Sequence, residues 1–237
     1  MAFNYSQFVV NLANMLVIPA TDPNYLQALP SIIDDAENRI YRELDLLDTV
    51  VRDTSAALTP NSRSFTLPQS LGRFVVTNNM NVFTPTGTTT NRNQMVPVTR
   101  DWLDAVWGNE TAPSTPSIPT YYAMITDQQI IVGPSPDAAY TMEVIGTIRP
   151  TPLSASNQTT YLSLYLPDLF LAEALIFGYG YLKDFGAMTD DPQGGTTWSS
   201  HYTALWQSAN TEEQRKRYAS QAWTSMQPAP IATPPRA

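Results

Sequence analysis

The residues able to do chemistry in this chain are few and badly placed for it. His201 is the single histidine, and a general base needs an orienting acid and a reacting group within reach. Its sequence neighbours are instead Trp198, Tyr202 and Trp206, which read as the aromatic stripe of a helix, so packing or surface is its expected role. With no cysteine, thiolate nucleophiles, disulfides and cysteine zinc sites are all excluded. Nucleophile-elbow, P-loop and HExxH spacings do not occur. Gly178, Gly180 and Gly186 miss the G-x-G-x-x-G spacing, and they close a helix where a dinucleotide motif opens one. The acid pairs Asp34-Asp35 and Asp190-Asp191 lack the geometry of paired catalytic carboxylates. Adjacent residues on a helix diverge, and Asp in a turn commonly bonds its own backbone. The expectation is a non-catalytic protein with no cofactor and no metal.

One acid stands apart. Glu173 is the only charged residue between Leu169 and Leu182, inside a stretch that predicts a helix over Asp168–Phe185, with Pro167 at its first turn and Gly186 as its stop. A helix apolar on almost all sides must be buried on most of them. Its large side chains return roughly 1.5 to 3 kcal/mol each on burial, against about 1 to 2 kcal/mol for every backbone fixed, so partners on at least two faces are required. The apolar run is too short for a bilayer, which needs about 20 residues. Gly178 and Gly180 hint at a closely approaching backbone, although tolerated helix glycines explain them equally well.

The rest of the chain supplies those partners. Phe8, Val9, Leu12, Met15 and Leu16 predict a helix over Phe3–Val17. Ile33, Ala36, Ile40, Leu44 and Leu47 predict another over Tyr25–Asp48, started or kinked by Pro30. From Val51 to Thr160 the period becomes 2 and the punctuation Pro, Asn, Thr and Gly. Strands are expected at 64–67, 73–77, 81–83, 95–99, 121–125, 129–132 and 139–148, a short helix at 100–107, and loops at 78–93 and 108–119. A final helix is expected from Thr197 to about Tyr218. Four prolines in the thirteen residues from Ser225 exclude helix or ladder there.

The fold expected is α+β: a four-helix core built from N- and C-terminal helix pairs, residues 1–50 and 161–224, with an inserted antiparallel β domain at 51–160 and an extended tail at 225–237. Net charge is -8, with seven acids against two bases in residues 1–50. Such a surface argues against gripping nucleic acid, which needs clustered Lys and Arg. The first 19 residues carry no basic residue, so no secretory leader is expected, and the sequons at Asn4, Asn109 and Asn157 carry no meaning without one.

The order of motifs resembles one family. FNYSQFVVNLANML followed by LPSIIDDAENRIYRELDLLD, with Ala36, Glu37, Arg39, Ile40, Arg42 and Leu44 as its core, is similar to the opening of head-to-tail adaptor, or connector, proteins of short-tailed bacteriophages. IPTYYAMITDQQIIVGPSPDAAYTMEVIGTIRP and LSASNQTTYLSLYLPDLFLAEALIFGYGYLKD resemble two later blocks in the same order. The likeness covers about residues 2–218 and departs at the Thr/Asn stretch near 78–93 and in the tail. It implies a structural virion protein at the neck, assembled in the host cytoplasm: a homo-oligomeric ring of 12 copies below the portal protein. That ring extends the channel for double-stranded DNA, which passes without specific binding, and gives a platform for tail, nozzle and tail-fibre proteins, with no membrane partner. On this reading Glu37, Arg39 and Arg42 are candidates for ring or helix-bundle contacts, and Trp223, Met226, Ile231 and Arg236 for portal binding. The competing reading is a β-rich carbohydrate- or protein-binding tail component, with Trp102, Trp107, Tyr121 and Tyr122 as its stacking surface.

Overall fold

Local signals start each helix where the chain needs one. The computed structural model describes residues 2–86, 89–108, 116–181 and 194–219. Helix α1 (Tyr5–Met15) opens on a capping box in which Asn4 and Gln7 satisfy each other's backbone N–H groups. Asp22 caps α2 (Pro23–Glu43) through the N–H groups of Asn24 and Tyr25, with Pro23 at the first turn. The helix therefore begins earlier than its apolar period indicates, runs through Pro30, and ends at Glu43. After the β segment come α4 (Tyr161–Tyr165), α5 (Pro167–Tyr181) and α6 (Gly194–Ala219). The predicted end of the α5 helix, 182–185, lies outside the described residues, as do Gly186, Asp190-Asp191 and the tail at 225–237.

The described residues fall into two compact units, one drawn from 1–47 with 162–237 and one from 48–161. In the helical unit α5 packs against α1, α2 and α6. Phe170 stacks on Phe8 with ring centres 4.4 Å apart. Leu169, Ala172, Ala174 and Leu175 are buried with Leu12, Ile33, Ala36 and Ile40. Among the described residues Gly178 faces the Leu16 side chain and Gly180 faces nothing within 4 Å, so no second backbone of those residues approaches α5 at either glycine.

The other unit is a sandwich of two four-stranded sheets, ordered β1-β8-β3-β4 and β2-β7-β6-β5. The strands are β1 (Val50–Asp53), β2 (Ser64–Thr66), β3 (Arg73–Thr86), β4 (Thr89–Gln94), β5 (Val96–Pro97), β6 (Tyr121–Met124), β7 (Gln129–Gly133) and β8 (Thr141–Arg149); α3 (Arg100–Val106) interrupts them. Phe74, Met80, Val82, Met142, Val144 and Ile148 from one sheet meet Phe65, Tyr122, Ile130 and Val132 from the other. The far face of the second sheet offers Ala123 and Ile131 to Leu103 of α3, so β7 is buried on both sides and reads as a continuous apolar run.

Three expectations change here. The insertion is not wholly antiparallel, because β5 and β6 pair in parallel. The loop expected at 78–93 is the β3–β4 hairpin, and the separate strands at 73–77 and 81–83 are one strand, bulged between Phe74 and Val76 and between Thr77 and Asn79. Gly146 sets that irregularity: a Cβ there would lie 2.2 Å from the Val76 carbonyl oxygen. Finally, β1 was not anticipated.

Candidate functional site

Burying Glu173 at the centre of an apolar helix is costly unless a cation answers it, and α2 provides one. Arg39 donates from Nη1 to Glu173 Oε1 at 2.8 Å and from Nε to Glu43 Oε1 at 2.9 Å. Tyr202 of α6 donates its hydroxyl to Glu43 Oε2 at 2.7 Å, and the Arg39 guanidinium lies over its ring at 4.9 Å. Three helices are thus tied through one arginine. The Glu173 side chain is 0 % exposed, and among the described residues its Oε2 has no hydrogen-bond partner. Burial pushes the Glu173 carboxyl above the ordinary range, against the pull of Arg39 and with the help of nearby Glu43. Burial acts on Glu43 in the same sense, yet hydrogen bonds from Tyr202 and Arg39 hold it below its usual value. Burial and Glu43 together push the Tyr202 hydroxyl well up.

The β unit has a second polar cluster. Glu143 of β8 is buried and accepts from Asn81 of β3 at 2.7 Å, from Arg92 of β4 and from Arg52 of β1. Despite burial, these bonds hold its carboxyl below the ordinary range. Arg63, also buried, caps the end of α3 by donating to the carbonyl of Trp107 and to Asp104 Oδ1. That anchors a face where Trp102, Trp107 and Tyr121 meet with ring centres 5.1 to 5.8 Å apart. Trp102 is 43 % exposed, with Val96 and Val106 also exposed. Tyr122, the fourth aromatic of the expected stacking surface, points into the sandwich core and does not join them.

Of the residues named for ring or helix-bundle contacts, Glu37 is buried, Arg39 is turned inward onto Glu173, and Arg42 is exposed. His201 is exposed, with its ring edge-on to Trp198 at 5.7 Å. Trp223, Met226, Ile231 and Arg236 lie outside the described residues. Among the described residues no cluster of three or more His, Cys, Asp or Glu is placed to hold a metal ion, and no helix is long and apolar enough to cross a membrane. The Arg39 and Arg52–Glu143–Arg92 clusters have no local sequence signature, since their hydrogen-bonded members lie up to 159 residues apart. The one available signal was Glu173 itself, a lone acid in an apolar helix.

The family model of the SU10 adaptor protein matches residues 3–229, nearly the whole chain. The chain belongs to the SU10 adaptor protein family. No curated protein matches it. The match spans both units of the chain, including the β3–β4 hairpin where the motif resemblance departs, and agrees with the likeness to phage head-to-tail adaptors.

Proposed function

We propose that this chain is a structural subunit of the virion neck, one of a ring of 12 copies that docks below the portal protein, extends the DNA channel and gives tail, nozzle and tail-fibre proteins a platform. The observation that carries this is the adaptor-family match over residues 3–229. The reading includes a four-helix core of α1, α2, α5 and α6 with the β unit inserted at 51–160, assembly in the host cytoplasm, and passage of DNA without specific binding. It assigns no reaction to the protein. Arg42 is the exposed member of the proposed contact set on α2, while Arg39 acts within the bundle. Trp223, Met226, Ile231 and Arg236 are proposed to grip the portal.

The test is the mass of the full chain, alone and mixed with the portal oligomer of its virion. A stable complex of ring size is expected, and portal binding should be lost on deleting 225–237. A chain that remains monomeric with the portal present refutes the reading. The alternative, a carbohydrate- or protein-binding tail component, is favoured by the exposed, rigidly backed Trp102. Saturable glycan binding that disappears in Trp102→Ala would support it instead.

A further inference from the structure

The outward face of the β1-β8-β3-β4 sheet carries more positive charge than its buried acid requires. Glu143 is 1 % exposed, whereas the Arg52 and Arg92 side chains that flank it are 62 % and 51 % exposed. Every strand of the sheet contributes one member: Arg52, Glu143, Asn81 and Arg92. Asn81 and one arginine already answer the carboxylate, so the second arginine leaves this cluster one positive charge in excess. Each guanidinium spends only its Nε–H on Glu143. The remaining donors of each fork have no partner among the described residues. Arg52 also lies over the Phe83 ring at 5.9 Å. Two arginines oriented by a buried acid on a pleated face are preorganised to receive carboxylates, and arginine is the charged residue most enriched among interface anchors.

The chain itself carries the complementary charge. Asp34 and Asp35 on α2 are exposed and make no hydrogen bond or ion pair among the described residues. They lie in the helical unit, and the arginines in the β unit. A contact joining two different patches is heterologous, the kind that closes into a ring. We propose that the Arg52–Arg92 pair receives the Asp34–Asp35 carboxylates of a neighbouring copy, an inference that rests on the ring reading above. A protein partner is favoured over DNA phosphate because the excess is one charge per copy in a chain of net charge -8, and phosphate binding needs several.

The test uses the full chain with the portal oligomer of its virion, followed by light scattering over a salt series. In D34K/D35K, which alters two exposed side chains without partners among the described residues, the ring should dissociate at least about tenfold more readily than wild type. A second measurement avoids charge altogether. Gln94→Cys, on the strand face shared with Arg92, combined with Asp35→Cys in this cysteine-free chain should give a disulfide between copies under mild oxidation, and neither single variant should. A wild-type ring matched by an unchanged D34K/D35K ring, with no disulfide in the double-cysteine variant, overturns this surface and leaves the ring reading standing. A wild-type chain that gains no mass with the portal sinks both. A short DNA duplex that binds wild type but not R92Q, with D34K/D35K assembly intact, assigns the face to DNA and also overturns the proposal.

Discussion

Arg39→Ala should destabilise the helical unit by an amount that depends on pH. Among the described residues Arg39 is the only hydrogen-bond partner of Glu173. Without it, a fully buried carboxylate costs several kcal/mol if it remains charged. The alternative is to bind a proton, which costs about 1.4 kcal/mol for each pH unit above its ordinary 4.5. That route caps the loss at about 3.4 kcal/mol at pH 7 and about 0.7 kcal/mol at pH 5. Loss of the guanidinium over Tyr202 adds about 0.5 to 1 kcal/mol at either pH. The sign follows from Glu173 having a raised native pKa: its contribution is fully present below the unfolded value and is lost as pH rises toward the native one. Glu43 acts in the opposite sense in wild type, because its native value is lowered, but it keeps Tyr202 in the variant. Urea unfolding followed by far-ultraviolet circular dichroism at pH 5 and pH 7 measures both losses. In Arg39→Ala combined with Glu173→Gln the ionisable group is gone, so most of the loss at pH 7 should be recovered. Equal losses at the two pH values, or no recovery in the double variant, would refute the reasoning.

Two further outcomes are expected. Gly146→Ala should cost about 1 to 3 kcal/mol, because the added Cβ meets the Val76 carbonyl oxygen at 2.2 Å and Phe74 at 3.0 Å; a thermal unfolding midpoint equal to wild type would contradict that packing. Val17 holds a left-handed φ of 58° just beyond α1 while its side chain is 90 % exposed, so it carries backbone strain without burial in return. Val17→Gly should raise stability by about 1 kcal/mol, read as a higher urea midpoint, and an unchanged or lower midpoint would count against it.

The helices were legible because burial writes a period into them. Phe8, Val9 and Leu12 marked α1, and Ile33, Ala36 and Ile40 marked α2, all of them buried. The start of α2 was missed because its signal is a cap rather than a period, Asp22 followed by Pro23. The β3–β4 hairpin was read as a loop because Thr, Asn and Arg alternate no apolar face there; a backbone ladder and polar pairs such as Asn93 to Thr84 join its strands, and neither leaves a mark in apolar pattern. The one parallel pair, β5 with β6, is two residues on each strand, too short to show a pattern. The clusters around Glu173 and Glu143 are long-range in sequence, so Glu173 stood out as a lone acid in an apolar helix while Glu143 and the arginines of both clusters were matched to nothing. Trp102, Trp107 and Tyr121 were correctly grouped, and Tyr122 was wrongly added to them, since the period of 2 sends neighbouring strand residues to opposite faces.

The single carboxylate in α5 has a further consequence. A cylinder greasy on every side gains nearly the same burial whichever way it is turned about its long axis, so oil-like forces alone leave its rotation undetermined. Glu173 breaks that degeneracy, because only one angular setting brings it to Arg39. The acid that weakens the helix as a hydrophobic object works as the key of a keyed shaft, and exchanging it for leucine should give a more tenacious but less uniquely seated core.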